Sequence, residues 1–123
     1  MSHQIAANTA PNVLVFIQTE IGESYVNPTC KVHRFDTLFD LSADQLSKIS
    51  PSIIVCPLFT LRYDAIDVGK LIQASAVKAK LLIEAPTLPR PAMVAKEINE
   101  ECPGLNFDFF DIQRWLNRCL LTA

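Results

Sequence analysis

The sequence predicts an α/β fold in which a doubly wound sheet of five parallel strands carries helices on both faces. Three observations support this prediction. Five short apolar or alternating segments are separated by helical patterns. Three of these segments are apolar throughout, as buried parallel strands are, whereas two alternate as half-exposed edge strands do. The chain has 123 residues, which is the size of one domain.

The chain order of the five segments predicts their order in the sheet. The apolar segments are Val13–Ile17, Ser52–Cys56 and Leu81–Ile83, and the alternating ones are Val32–Phe35 and Asn106–Phe110. Because the alternating segments come second and fifth, they fit the two edges of a sheet with the strand order 2-1-3-4-5. That is the order of flavodoxin-like folds. Residues 1–11 are expected to form a flexible lead, and residues 12–123 a single domain.

Local signals mark where the helices begin. Ser42 and Gln45 have the spacing of a capping box, and Asp64 is a good first cap for the next helix. Gly69 costs that helix about 1 kcal/mol relative to alanine, so its presence favours close packing of the helix on the sheet. Pro91 stands where the first turn of a helix tolerates proline.

The first and last connections have different patterns. Residues 18–31 include Gly22 and Pro28 and leave room for two helical turns at most, so a short or irregular first helix is expected. After the fifth strand, an i, i+3, i+4 pattern of apolar side chains predicts a helix packed on the core. Its members are Ile112, Trp115, Leu116, Cys119 and Leu120.

Composition excludes several classes of function. The net charge of −2 offers no basic surface for nucleic acid, and no apolar run reaches the roughly 18 residues that span a membrane. With no signal-peptide pattern, a cytoplasmic location is expected. Three glycines cannot form the usual phosphate-binding loops, and two histidines with four cysteines lack metal-ligand spacing. We therefore expect neither a cofactor nor a metal, and reduced cysteines.

Three stretches resemble response-regulator receiver domains. Pro51–Leu58 resembles the third strand of that family, typically Pro-Asp followed by four aliphatic residues and Asp. Tyr63–Ile72 resembles the start of its third helix, and Phe110–Leu116 resembles the Phe-Asp-Leu-aliphatic lead into its last helix. The matches extend over most of residues 13–121. They imply the receiver fold, in agreement with the strand order predicted from the residues.

The resemblance also implies that the phosphorylation site of receivers is degenerate here. The phosphoacceptor aspartate at the end of strand three corresponds to Pro57. The acidic pair that holds Mg²⁺ after strand one corresponds to Gln18 and Thr19. The Thr or Ser ending strand four corresponds to Ala85, and the Lys ending strand five to Asp108. Phosphoryl transfer needs a nucleophile, a hard cation and a positive group, so a conventional phospho-switch is not expected.

Other chemistry at the same strand ends has two interpretations. Glu20, Glu84 and Asp108 are expected near the carboxyl ends of strands one, four and five, where α/β sheets bind ligands. They either hold a cation or small ligand, as a sensor would, or are solvated loop-end carboxylates. Cys56 beside Pro57 is either a nucleophile or a buried, inert thiol. With no catalytic arrangement to propose, we do not expect an enzyme.

The stretch Glu84–Pro91 contains three prolines, which stiffen the loop after strand four. They either lower the entropy lost when the loop docks on a partner or only fix the route of the chain into the fourth helix. In receivers, the surface of the fourth helix, fifth strand and fifth helix commonly meets a partner domain or a second copy. Leu88, Met93 and either Phe109 or Phe110 are expected to form its apolar centre. The first functional hypothesis is therefore a non-catalytic pseudo-receiver, an interaction module in signal transduction that binds a protein partner or forms a homodimer.

Overall fold

A computed structural model describes residues 13–19, 30–85 and 90–111 of the chain. Its strands are β1 (Val13–Ile17), β2 (Lys31–Phe35), β3 (Ile53–Pro57), β4 (Lys80–Glu84) and β5 (Phe107–Phe110). Its helices are α1 (Ala43–Ile49), α2 (Ala65–Ser75) and α3 (Pro91–Glu101), with a 3₁₀ turn at Leu38–Asp40. The strands form one sheet in the order β2-β1-β3-β4-β5, and every pairing is parallel. This confirms the predicted fold class and strand order.

The register of the sheet brings the carboxyl ends of the strands to one edge. β1 pairs with β2 up to Ile17 opposite Phe35, and β3 pairs with β4 up to Pro57 opposite Glu84. Glu84 in turn lies opposite Phe110, the last residue of β5. Residues that follow β1, end β3 or follow β4 are therefore neighbours in space.

Alternation along the strands divides the apolar side chains between the two faces of the sheet. The larger cluster joins one face of the strands to the three helices, and its buried members include Val15, Ile17, Ile54, Cys56, Leu81, Ile83, Leu46, Val68, Ile72 and Ile98. The opposite face carries a smaller cluster centred on Leu14, Phe16 and Val55. Burial on both faces explains why β1 and β3 are apolar at every position up to Cys56.

β4 differs from the prediction of a uniformly buried strand. Leu81 and Ile83 are buried, whereas Lys80, Leu82 and Glu84 are only half-buried. The half-buried residues alternate with the buried ones, so they lie on one face of β4, and that face is less covered than the other. β3 also ends one residue later than predicted, at Pro57, which pairs with Glu84 at the end of β4.

The predicted helix starts are confirmed. The Ser42 hydroxyl accepts from the Gln45 amide at 3.1 Å, and the Gln45 side chain accepts from the Ser42 amide at 2.8 Å. Asp64 and Asp67 form a second capping box of the same kind at α2. Pro91 is the first residue of α3. Each box satisfies two amides that the first helical turn would otherwise leave unpaired.

Three predictions lie outside the described residues. These are the flexible lead over residues 1–11, the short first helix over most of residues 18–31, and the last helix after residue 111. Among the helices that the structure does describe, none has the length and apolar character needed to cross a membrane.

Candidate functional site

The carboxyl edge of the sheet brings together four residues that the resemblance to receivers aligned with the phosphorylation site of that family. Gln18 and Thr19 follow β1 directly, Pro57 ends β3, and Ala85 follows β4. The Ala85 amide donates to the Phe110 carbonyl at 2.9 Å, which ties the end of β4 to β5. None of these four side chains carries a charge. A proline and an alanine offer no oxygen that could attack or bind a phosphoryl group.

Gln18 is held in place by two hydrogen bonds. Its backbone has a φ of 49°, in the left-handed region, and its amide donates to the Phe35 carbonyl at 2.8 Å. Its side-chain oxygen accepts from the Tyr63 hydroxyl at 2.6 Å. The sequence did not single out Tyr63, because 45 positions separate it from Gln18 and nothing local links the two.

Glu84 contacts Thr19 across the edge of the sheet. The Thr19 hydroxyl donates to Glu84 Oε1 at 3.0 Å, and both side chains are half-buried. They lie in a cleft of about 430 Å³ lined by Phe16, Gln18, Thr19, Arg34, Phe35, Asp36 and Glu84. The guanidinium of Arg34 lies 4.9 Å from the centre of the Phe16 ring. The lining combines one cationic and two anionic side chains, so the cleft suits a small polar molecule better than an apolar one.

The expectation that Asp108 lies at this edge with Glu84 was wrong. Asp108 pairs with Leu82, two residues before the Glu84–Phe110 pair that ends the ladder. Its carboxylate points back toward the amino end of β4, where Oδ2 lies 4.0 Å from the Lys80 ammonium. The strand begins at Phe107 and is only four residues long. The prediction matched Asp108 to the carboxyl end of β5, and this placed the residue two positions too far along the strand.

Glu20, the third carboxylate of the predicted group, lies outside the described residues. Within residues 13–19, 30–85 and 90–111, no three His, Cys, Asp or Glu side chains are grouped as metal ligands. The structure therefore places Glu84 at the strand ends and Asp108 away from it. Among the described residues, no set of side chains is grouped to bind a cation.

Cys56 is enclosed in the core directly before Pro57. Burial raises the pKa of its thiol, and the neighbouring carboxylates of Glu84 and Asp64 raise it further. Burial also raises the pKa of the Tyr63 hydroxyl, with a smaller contribution from Cys56. A nucleophilic cysteine needs the opposite shift and access to its substrate, so the interpretation of Cys56 as a buried, inert thiol fits this geometry.

The residues expected to form the interaction surface do not all share one face. Met93 is 61% exposed on α3, and Leu88 lies outside the described residues. Phe109 is half-buried on the face of the sheet that α3 covers, whereas Phe110 is half-buried on the opposite face. Because consecutive strand residues point to opposite faces, Phe109 is the aromatic residue that shares a side with Met93.

Sequence reasoning missed a set of exposed apolar side chains beside the same edge. Phe59 is 73% exposed and Leu61 is fully exposed in the loop after β3, and Phe39 in the 3₁₀ turn is 59% exposed. The Phe39 ring meets Tyr63 edge to face, with ring centres 5.9 Å apart. A pattern of apolar residues cannot show which of them the fold leaves in water, so no sequence signal could have identified this surface.

Comparison with known proteins gives similarity of structure without detectable similarity of sequence. No protein-family model matches the chain, and no curated protein sequence matches it. Among solved structures, it is similar to the signal receiver domain of a protein described as a Luxo repressor from Vibrio parahaemolyticus. That match has a TM-score of 0.61 and 13% identity, and covers 91% of this chain and 95% of the other.

The chain is also similar to the response regulator domain of CheB from Thermotoga maritima. The TM-score is 0.58 at 14% identity, over 92% of this chain and 90% of the other. Identity this low is informative about the fold alone. Together with the parallel sheet in the order 2-1-3-4-5, these matches show that the chain is a receiver-like domain in its fold.

Proposed function

We propose that the chain is a pseudo-receiver, an interaction module in signal transduction that transmits a signal by protein contact without aspartate phosphorylation. One observation carries the proposal. The strand ends at which receiver chemistry would take place hold Gln18, Thr19, Pro57 and Ala85. Phosphoryl transfer to a carboxylate needs the carboxylate, a bound Mg²⁺ and a positive group over the developing charge, and these four side chains supply none of them.

The experiment is incubation with acetyl phosphate and Mg²⁺, followed by intact-mass spectrometry. We expect no change in mass, since β3 ends in Pro57, which offers no carboxylate where a receiver would carry its acceptor. A stable gain of about 80 Da, the mass of one phosphoryl group, mapped to an aspartate or glutamate would contradict the proposal. An active receiver domain treated in the same tube is the positive control for the reagent.

A protein partner is the expected binding target, and α3 with β5 is the proposed binding face. Met93 presents an exposed apolar side chain, and Phe109 lies beneath the same side. The guanidinium of Arg90 lies 3.7 Å from the Met93 sulfur, which adds a charge at the edge of this face. An apolar centre with a charged rim is typical of transient protein interfaces. A cytoplasmic location stays a prediction from the sequence.

A photo-crosslinking residue tests this face. Benzoylphenylalanine in place of Met93 is expected to form adducts in the cells that produce the chain. The same residue in place of Ala74, which is exposed near the end of α2, serves as the matched control. Equal labelling from both positions, or none from position 93, would argue against α3 and β5 as the binding face.

The cleft beside Thr19 and Glu84 favours a second candidate, a sensor of a small polar ligand. Its volume of about 430 Å³ lies within the range of small-molecule sites. Thermal-shift screening against metabolites and divalent cations tests this. A ligand at 100 times its Kd stabilises a fold by about 2.7 kcal/mol, which is a measurable shift. A flat screen would leave the interaction module as the supported function.

A further inference from the structure

The loop between β3 and α2, residues 58–64, is fixed by its own hydrogen bonds. The Thr60 amide donates to the Tyr63 carbonyl at 2.7 Å, and the Ala65 amide donates to the Leu58 carbonyl at 2.8 Å. The Thr60 hydroxyl accepts from the amides of Arg62 and Tyr63 at 3.2 and 3.1 Å. The loop is therefore a small hairpin of defined shape.

This hairpin presents an apolar tip to water. Leu61 is fully exposed, and Arg62 beside it is exposed with its guanidinium 4.9 Å from the centre of the Phe39 ring. An apolar side chain on a loop that is already ordered loses little entropy when it docks. The Leu61–Arg62 tip, which we call the knob, is thus prepared for insertion into an apolar recess with an anionic rim.

The same molecule has such a recess next to the knob. A groove of about 290 Å³ lies between the hairpin, the start of α2 and α3, and it is lined by Leu58, Phe59, Asp64, Ala65, Ile66, Val94, Glu97 and Ile98. Six of these eight side chains are apolar. The remaining two, Asp64 and Glu97, are carboxylates, and Glu97 is exposed on α3.

The knob and the groove are complementary in chemistry. Leu61 matches the apolar lining, and the positive charge of Arg62 matches the carboxylates of Glu97 and Asp64. In the part of the chain that the structure describes, Lys70 pairs with Glu101 at 3.4 Å, and Lys96 pairs with Glu100 at 3.8 Å. Those two lysines are engaged on other carboxylates of α3, so Arg62 of a second molecule is a suitable cation for Glu97.

We propose that two copies of this chain associate by reciprocal insertion, with Leu61 of each copy in the groove of the other and Arg62 beside Glu97. The knob adjoins the groove within one molecule, since Leu58, Phe59 and Asp64 belong both to the hairpin and to the groove lining. Both contacts therefore lie close to a single two-fold axis. A closed dimer results, and an open filament does not. This proposal does not rest on the proposed function, because it uses neither the strand-end chemistry nor Met93.

The oligomeric state of the full chain tests the proposal. Sedimentation velocity is measured from low micromolar concentration to about 500 μM, a range that detects weak association. The wild type is expected to form a dimer in a concentration-dependent way. Leu61→Ser is expected to weaken dimerisation about 100-fold, because two leucines lose their burial in one dimer. Leu61 is fully exposed, so this change leaves the fold intact, which circular dichroism checks.

A charge exchange tests the pairing. Arg62→Glu and Glu97→Arg are each expected to weaken the dimer about tenfold, since each change acts twice in a two-fold assembly. The double variant restores the opposite charges and is expected to regain most of the affinity. Lys96→Glu is the matched control. It makes the same change in charge as Arg62→Glu on the helix that lines the groove, but lies outside the groove, and it should leave the dimer unchanged.

Three results would overturn the proposal. They are a wild type that stays monomeric throughout the range, a dimer that Leu61→Ser does not weaken, and a double charge variant with no recovery. A dimer lost in Met93→Ser but retained in Leu61→Ser would also overturn it, because association would then use the face of α3 and β5. The acetyl phosphate experiment is independent of all these outcomes, so failure of one proposal is distinguishable from failure of the other.

Discussion

The pKa of the Cys56 thiol shows how burial and the carboxylates near the end of β3 affect a single residue. Its thiol lies in the core, one position before Pro57, and the carboxylates of Glu84 and Asp64 lie near enough to disfavour the thiolate. Removal from water and negative neighbours act in the same direction, since both penalise the charged form. The folded state therefore keeps this thiol protonated at pH values where an unfolded chain would release the proton.

Cys56 is expected to resist alkylation by iodoacetamide at neutral pH in the folded protein and to react once the chain is unfolded in urea. Peptide mass spectrometry measures the labelling, and Cys30, which is half-buried, provides an internal comparison. Rapid labelling of folded Cys56 would show that the thiol is reactive and would favour an enzyme.

The pH dependence of stability follows from the same shift. In the folded state the pKa of the Cys56 thiol is raised above its ordinary value of 9.0. The stability that the buried, protonated thiol contributes is therefore fully present below about pH 9 and is lost as the pH rises further. For one group the loss approaches about 1.4 kcal/mol per pH unit. Urea unfolding between about pH 8.5 and 10.5 is expected to show a shallower decline for Cys56→Ala than for the wild type. Equal declines in stability for the variant and the wild type would show that ionisation of Cys56 does not cause the loss.

At the scale of elements, Gly69 sets how closely α2 approaches the segment that follows α3. A Cβ at this position would lie 2.8 Å from Leu105 Cδ2 and 2.9 Å from Cys102 Sγ. The Cys102 thiol itself is buried, and its Sγ lies 3.6 Å from the Ile66 carbonyl. The sequence predicted close packing at Gly69 against the sheet; the packing is close, but the neighbours are Cys102 and Leu105, which follow α3 and lie outside the strands.

Gly69→Ala is expected to lower the free energy of unfolding by about 1 kcal/mol, because overpacking outweighs the gain in helix propensity. Urea unfolding measures the change. In a Cys102→Ala background the sulfur is absent and the half-exposed Leu105 is able to rotate, so the same substitution should become neutral or stabilising. An equal cost in both backgrounds would show that Cys102 is not the group that excludes the methyl.

At the scale of the whole molecule, the candidate site depends on the assembly of separate strands. Gln18, Pro57 and Ala85 are distant in sequence, yet the parallel register places them at one edge. By the resemblance to receivers, these positions correspond to the cation ligand, the nucleophile and the hydroxyl of the phosphorylation site, and the proposed function takes all three groups to be absent here. Adding one of these groups by substitution is therefore not expected to permit phosphorylation.

Pro57→Asp places a carboxylate at the end of β3, where the resemblance puts the phosphoacceptor of receivers, without adding the acidic pair expected after β1. We expect this variant to remain unlabelled by acetyl phosphate and Mg²⁺, with no gain of about 80 Da by intact mass. Thr19 contributes no charge, and Glu84 opposite position 57 adds repulsion toward an anionic phosphoryl donor. Labelling of Pro57→Asp would show that the missing nucleophile is the only defect.

The sequence by itself determined the fold class, the strand order, the capping boxes at Ser42 and Asp64, and the residue types at the strand ends. These features are local or periodic. Alternation reveals how many faces of a strand are buried, and a cap lies three residues from its partner. The identity of Pro57 as the last residue of β3 depends on one short apolar run, so it could be predicted to within one residue.

Only the tertiary structure decided which distant side chains meet. The bond from Tyr63 to Gln18, the displacement of Asp108 toward Lys80 and the full exposure of Leu61 all depend on sheet register and loop geometry. A register change of one residue reverses the face of every side chain in a strand, and composition carries no record of it. The sequence therefore predicted that the phosphorylation chemistry of receivers is absent, and the structure added the surface through which we propose that two copies associate.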